Sequence, residues 1–97
     1  MVAHIVLLRW TENASQEAID AVMTELRDLR NKIPGIVDVT SGKNFSERAK
    51  GFTHGLIFHF KDRAALEGYL PHPEHQRVVQ KILSPIRADA LIFDYEL

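Results

Sequence analysis

The segment YLPHPEHQ, residues 69–76, holds the side chains of this sequence that are best suited to proton chemistry. It places Tyr69 upstream of two histidines, His72 and His75. Pro73 suits the first position of a helix, because its missing N–H would be unpaired there in any case. His75 would then lie in the first helical turn, where the helix dipole disfavours the imidazolium form. A neutral imidazole can accept a proton, so this position fits a general base.

Helical spacing predicts that both groups face inward. His75 precedes Val78 and Val79 by three and four residues, so it heads the apolar stripe of the helix predicted to follow it. In the preceding helix, Tyr69 falls on the same side as Leu66. A tyrosine hydroxyl in an apolar pocket could orient a substrate carbonyl or phenol by hydrogen bonding. We therefore predict His75 and Tyr69 as the catalytic pair.

Three further histidines lie on predicted strands, and His59 is on the opposite face from the other two. His4 shares a face with Val6, and His54 shares one with Leu56 and Phe58, because side chains alternate along a strand. These faces are the ones that the helices are predicted to cover. The sequence thus predicts that His4, His54 and Leu56 line one cavity together with the pair in the 69–76 segment.

A structural role is the alternative for all of these groups. A proline at the start of a helix is ordinary helix chemistry, and His72 has the position of a helix cap. His4 and His54 could be core histidines that only satisfy their own hydrogen bonds. Metal binding is a weaker alternative, because the break at Pro73 places His72 outside the helix that carries His75, and no second cluster completes a tetrahedral site. We predict no metal site and no cofactor.

Length and composition favour one small domain. The chain has 97 residues, 45% of them hydrophobic, with no shift in composition along its length, so residues 1–97 are predicted to form a single domain. Twelve basic and thirteen acidic residues give a net charge of -1 without a basic stripe, which argues against nucleic acid as a partner. The absence of cysteine excludes disulfides and thiolate metal sites. The first residues lack the features of a signal peptide or membrane span, so we expect a cytoplasmic protein with no membrane partner.

The elements that would position these residues follow from local patterns. Strands are predicted over residues 2–10, 36–43, 52–60 and 90–97. Asn13 and Ser15 are alternative caps for a first helix that continues to Ile33 and stops at Pro34 and Gly35.

The second helix is predicted to be split. Asp62 caps its first part, Pro71 ends that part, and a second part runs over residues 73–83. The order β-α-β-β-α-β predicts an α+β, ferredoxin-like sandwich whose helices lie on one face of the sheet.

The predicted sheet is apolar on both faces. In the first strand one parity carries Val2, Val6, Leu8 and Trp10, and the other carries Ala3, Ile5 and Leu7. In the last strand one parity carries Leu91, Phe93 and Tyr95, and the other carries Ala90 and Ile92. Helices can cover only one of these faces, and large apolar patches are rare on soluble monomers. We therefore predict a twofold homodimer in which two sheets face each other.

The chain resembles the stress-responsive dimeric A/B barrel family over essentially its whole length. The resemblance lies in the motifs HIVLL, IPGI, GKNFSERAKGFTHGL, YLPHPEHQRV and LIFDYE. It implies a ferredoxin-like subunit that pairs sheet to sheet into a dimeric α/β barrel, in agreement with the two apolar faces. Some members of this family are plant stress proteins that assemble into larger rings, while another is a cyclase that closes a linear polyketide by aldol condensation without a redox cofactor.

Residue roles can be carried over from that cyclase. By this similarity His75 would be the general base and Tyr69 its partner at the substrate, while His4 and His54 would line the pocket. Leu26 stands where the cyclase has a pocket tyrosine on the first helix, so this sequence departs from the pattern and a different substrate is implied. Some members also hold a magnesium ion through backbone carbonyls after the first helix, and the corresponding residues here are Arg30, Ile33 and Ile36.

Two functional hypotheses follow. The first is a homodimeric protein that holds a small apolar or aromatic carbonyl compound, with cofactor-independent cyclase or isomerase activity in which His75 removes a proton next to a carbonyl. The second is a non-enzymatic stress-response or interaction protein whose histidines are structural. A cavity lined by His4, His54, Tyr69 and His75 would favour the first hypothesis, and close packing of these side chains would favour the second.

Overall fold

The computed structural model describes all 97 residues. Its elements are β1 (Val2–Trp10), α1 (Gln16–Asp28), β2 (Ile36–Lys43), β3 (His54–Phe60), α2 (Arg63–Tyr69), α3 (Pro73–Arg77) and β4 (Arg87–Glu96). A single 3-10 turn, Leu29–Asn31, follows α1, and a π-helical segment, Val78–Leu83, continues α3. The strands form one antiparallel sheet in the order β2-β3-β1-β4. The α+β, ferredoxin-like prediction is therefore confirmed.

The first helix begins at one of the two predicted caps. Ser15 is the cap, because its hydroxyl accepts a hydrogen bond from the backbone N–H of Ala18 at 3.1 Å. The regular helix ends at Asp28, earlier than the predicted Ile33, and the remaining residues tighten into the 3-10 turn. This helix buries a stripe at helical spacing against the sheet, formed by Ile19, Val22, Met23 and Leu26.

The turn between α1 and β2 requires glycine. Gly35 has a φ of +92°, a left-handed conformation that glycine adopts without steric cost. A Cβ atom at this position would also lie 2.7 Å from the Cβ of Ala65 in α2. The turn therefore fixes the separation between the start of β2 and the second helix.

The second helix is split as predicted. Asp62 caps α2 by accepting a hydrogen bond from the N–H of Ala65 at 2.8 Å. Pro73 is the first residue of α3, and the Nδ1 atom of His72 accepts from the N–H of Glu74 at 3.1 Å. His72 is thus a helix cap. The predicted second part differs in one respect, because after Arg77 it widens into the π-helical segment.

Two strands have other bounds than the sequence predicts. β3 begins at His54 rather than at residue 52, and β4 begins at Arg87 rather than at residue 90. The extra residues of β4 precede the apolar segment 90–97 from which the strand is predicted. They belong to the strand because they pair with the end of β1. Pairing with a neighbour, rather than local hydropathy, determines where these strands begin.

The two faces of the sheet differ in their cover. The helices bury one face, and the core between them includes Leu8, Leu56, Phe58, Phe60 and Tyr69. The other face, which we call the outer face, carries exposed apolar side chains at Ile57, Leu91, Phe93 and Tyr95. None of the helices has the length and apolar composition needed to span a bilayer.

Candidate functional site

A cavity of about 390 Å³ lies between the sheet and the helices. Eleven of its fifteen lining residues are hydrophobic, so its walls are mainly apolar. Five of the six residues predicted to form a site line it, namely His4, Leu26, Leu56, Tyr69 and His75. The walls also include Phe58, Leu70, Val79, Leu83 and Ile92. The sheet and the split helix together bring these groups to one place.

His54 is the exception among the predicted residues. It lies on the helix-covered face, as its parity predicts, but the sheet register pairs it with Leu8 near the far end of β1. There its Nδ1 atom accepts a hydrogen bond from the indole N–H of Trp10 at 2.9 Å, and the two rings are 5.4 Å apart. Burial lowers the pKa of His54. The expectation that His54 lines the cavity is therefore corrected. Parity predicts the right face, but the ring packs against Trp10, and neither of these residues is part of the cavity lining.

His75 lines the cavity, and the hydrogen bond of one ring nitrogen defines its tautomer. Its Nδ1 atom lies 2.8 Å from the carbonyl oxygen of Leu70, which can only accept, so Nδ1 carries a proton and donates. The neutral ring then has its lone pair on Nε2. Burial lowers the pKa of His75 below the ordinary 6.5; the hydrogen bond to Leu70 opposes this shift in part, while the nearby His4 and His72 add to it. The imidazole is thus neutral near pH 7, as a general base must be.

Tyr69 lies directly beside His75. The centroids of the two rings are 4.3 Å apart, and the tyrosine is 2% exposed. No protein group forms a hydrogen bond with its hydroxyl. Every fully buried side-chain oxygen in the chain has a hydrogen-bond partner, so this hydroxyl is not fully buried and opens onto the cavity that Tyr69 lines. Burial raises the pKa of Tyr69 far above its usual range, which keeps the phenol protonated. The cavity therefore contains a hydrogen-bond donor next to the base.

His4 forms a pair with a carboxylate that the sequence patterns do not single out. Antiparallel register places Asp94 of β4 directly opposite His4 of β1, and Oδ1 of Asp94 lies 2.5 Å from Nδ1 of His4. The carboxylate accepts from Nδ1–H, which directs Nε2 of His4 away from Asp94. The His4 ring is 6.0 Å from that of Tyr69. The alternation of β4, with Ala90 and Ile92 on the same face as Asp94, was the signal that could have identified this residue.

These groups form one end of the cavity, and their chemistry is that of proton transfer. His75 offers a lone pair, Tyr69 offers a hydroxyl proton, and the His4–Asp94 pair offers a second oriented imidazole. No three histidine, aspartate, glutamate or cysteine side chains are grouped as metal ligands would be. The magnesium site that some family members have, which corresponds to the backbone carbonyls of Arg30, Ile33 and Ile36, would not use such side chains. Groups of these types are the ones that remove a proton from a bound molecule and stabilise the resulting oxyanion in enzymes.

Two curated plant proteins are similar to the chain in sequence. A stress-response A/B barrel domain-containing protein of Arabidopsis thaliana is 40% identical over 67 residues, which cover 68% of this chain and 26% of that protein. The chain thus spans about a quarter of the length of that relative. Olivetolic acid cyclase of Cannabis sativa is 26% identical over 96 residues, which cover 97% of this chain and 94% of the cyclase.

Solved structures support the same relationship. The crystal structure of At3g17210 from Arabidopsis thaliana superimposes with a TM-score of 0.92 at 25% identity and covers 100% of this chain and 95% of that one. A dimeric ferredoxin-like protein of unknown function from Jannaschia sp. CCS1 superimposes with a TM-score of 0.82 at 28% identity, covering 99% and 98% of the two chains. The family described as the stress-responsive A/B barrel domain matches residues 2–97. The fold agrees with this match, and the chain belongs to the stress-responsive A/B barrel family.

Proposed function

We propose that this protein binds a small apolar or aromatic carbonyl compound in the cavity and catalyses a cofactor-independent cyclisation or isomerisation. The observation that carries the proposal is the juxtaposition of His75, with its free Nε2, and the unpartnered hydroxyl of Tyr69 within an apolar cavity. A hydrophobic pocket with a few convergent polar groups is the usual form of a small-molecule site. Similarity to olivetolic acid cyclase over nearly the whole chain supports the same class of reaction.

The reaction proceeds by proton transfer alone. Nε2 of His75 removes a proton from the carbon next to a carbonyl, and the bonding electrons of that C–H move into an enolate. The Tyr69 hydroxyl donates a hydrogen bond to the carbonyl oxygen on which negative charge develops. In a cyclisation, the enolate carbon attacks a second carbonyl of the same molecule. The imidazolium of His75 then returns its proton to the new alkoxide, so neither an oxidant nor a reductant is consumed.

Hydrogen–deuterium exchange on a simple ketone tests the first step directly. We expect the protein to accelerate the exchange of the α-protons of 2-nonanone in D₂O, followed by proton NMR. His75→Gln should lower the accelerated rate by about 100-fold or more, because it removes the base. The matched control is His72→Asn, which replaces a histidine three residues away and outside the cavity lining by another good helix cap. Equal exchange rates for wild type and His75→Gln would refute the proposal.

A non-enzymatic role is the second candidate, and a specific observation favours it. Two of the histidines have protein partners of the kind that structural histidines have, since His4 pairs with Asp94 and His54 with Trp10. The similarity to the Arabidopsis relative, whose name describes a stress-response protein, is consistent with this candidate. It predicts that neither 2-nonanone nor a longer carbonyl compound raises the melting temperature of the protein. If such a compound raises the melting temperature of wild type by several degrees but does not raise that of His75→Gln, the non-enzymatic candidate is excluded.

We also propose that the protein is a homodimer in which two outer faces meet. Leu91 and Phe93 are 52% and 61% exposed and belong to one apolar patch on this face. Large exposed apolar patches are rare on soluble monomers. The similar Jannaschia protein is described as dimeric. Pairing of identical faces satisfies twofold symmetry, because each residue of the patch meets the same patch on the partner.

A further inference from the structure

Arg87 is a basic side chain on a cavity wall that is otherwise mainly apolar. It lines the same cavity as His75 and is partly buried. Its guanidinium takes part in none of the ion pairs or side-chain hydrogen bonds of the chain, which is otherwise true only of the exposed Arg48, whereas Arg9, Arg27, Arg30, Arg63 and Arg77 each have a partner. A guanidinium that is always charged and is partly removed from water is costly unless an anion accompanies it. A ligand with a negatively charged group would balance the charge of Arg87 and offset this cost.

A bulge in β4 is what turns Arg87 toward the cavity. Along the β1–β4 ladder, Arg9 pairs with Asp89 but the next residue, Trp10, pairs with Arg87, so Ala88 is an extra residue. Side chains alternate between faces in a regular strand, and without the bulge Ala88 would lie opposite Trp10 while Arg87 would lie on the outer face. The extra residue places Arg87 on the same face as Ala90. Bulges of this kind commonly re-aim side chains beside functional sites.

Arg87 and the proton-transfer groups lie at opposite ends of the cavity. Asp94 is opposite His4 and Arg87 is opposite Trp10, which are six residues apart on β1, or roughly 20 Å at the rise of an antiparallel strand. The side chains at both ends reach inward and shorten this span. The wall between them is apolar and includes Val6, Leu8, Ala90 and Ile92.

We infer that the cavity takes an elongated carboxylic acid whose carboxylate pairs with Arg87, whose apolar chain follows the sheet, and whose reacting carbonyl lies at His75 and Tyr69. This inference rests on the proposed function and names its substrate class. A carboxylate suits the site because its two oxygens match the fork of the guanidinium and its single charge is balanced by one arginine. A dianion such as phosphate would leave a charge uncompensated in an apolar cavity.

Binding of decanoate tests the inference without a need for turnover. Trp10 is the only tryptophan of the chain and lies across from Arg87, so its fluorescence reports on this end of the cavity. We expect decanoate to bind about tenfold or more tightly than methyl decanoate, and more tightly than decyl phosphate, since only the carboxylate can form the paired ionic hydrogen bonds with its charge fully balanced. In Arg87→Met the affinity for decanoate should fall to that for the ester.

A control variant makes the result specific. Arg48→Met removes the same charge from an exposed loop residue that does not line the cavity, and it should keep the preference for decanoate. Equal affinity of wild type for decanoate and its methyl ester overturns the inference alone, and so does a preference that survives in Arg87→Met. Tighter binding of decyl phosphate overturns the carboxylate assignment, and binding of no probe overturns both the inference and the proposed function.

Discussion

At the scale of single residues, Tyr69 combines a buried ring with a hydroxyl that has no hydrogen-bond partner in the chain. The ring packs against Phe60 and His75, at centroid distances of 5.0 and 4.3 Å. Tyr69→Phe keeps this packing and removes only the donor. We expect the rate of ketone exchange to fall by about 100-fold, while the free energy of unfolding changes by less than about 1 kcal/mol. Urea denaturation checks the second expectation, and a loss of several kcal/mol would show that the hydroxyl is structural.

Protonation of His75 should link activity and stability to pH. Burial lowers the pKa of His75 below 6.5, so the unfolded chain binds this proton at a higher pH than the folded chain does. The stability that depends on the neutral ring is complete above pH 6.5 and is lost as the pH falls from there through the folded pKa. The pKa of His54 shifts in the same direction.

The expected result is a melting temperature that decreases below pH 6.5, and an exchange rate that stays constant through pH 6.5 and decreases only as the pH approaches the lower pKa of His75 in the folded protein. Thermal denaturation between about pH 7.5 and pH 5 measures the first, and His75→Gln should show a shallower decrease than wild type. An identical pH dependence in the two proteins would mean that His75 does not contribute. An increase in stability on acidification would contradict the lowered pKa.

At the scale of elements, the short helix α2 has to hold Tyr69 in place, and its start depends on one side chain. Asp62 accepts a hydrogen bond from the N–H of Ala65 at 2.8 Å. Asp62→Ala should lower the free energy of unfolding by about 1 kcal/mol, because a free N–H at the helix start loses its partner. Asp62→Asn is the matched control, since asparagine caps helices as well as aspartate does. Equal losses in the two variants, measured by urea denaturation, would exclude capping as the cause.

The break between α2 and α3 serves the site as well as the chain path. The carbonyl of Leu70 lies at this break, where no continuing helix uses it fully, and it accepts from both the His75 ring and the side-chain amide of Gln76 at 2.8 Å. The tautomer of His75 thus depends on the carbonyl at the end of α2. Pro71 and Pro73 make the break a property of the local sequence.

At the scale of the whole molecule, the proposed dimer depends on the outer face. Phe93 is its most exposed aromatic residue, at 61%. Phe93→Asp places a charge where two apolar faces would meet, and we expect the protein to sediment as a folded monomer at micromolar concentration, because an unpaired charge is costly in an interface core. Phe45→Asp is the control, since Phe45 is fully exposed in the loop between β2 and β3. A wild-type protein that is itself monomeric would refute the dimer.

Local sequence patterns were sufficient to establish the elements, their order and the faces that their side chains take. These features depend on residues within a few positions of one another. Helical spacing from His75, the prolines around His72 and the alternation of β1 are all local, and the fold that they predict is the one observed. Four of the predicted residues that line the cavity, His4, Leu56, Tyr69 and His75, follow from the same local periodicities, whereas Leu26 is predicted from the family resemblance.

Which groups meet in space became known from the three-dimensional arrangement alone. The pairing of His4 with Asp94, the position of His54 beside Trp10 and the orientation of Arg87 all depend on strand register, which joins residues far apart in the chain. A shift of one residue moves a side chain to the other face, so register cannot be inferred from alternation alone. The bulge at Ala88 makes this point most clearly, because one extra residue turns a surface arginine into part of the cavity.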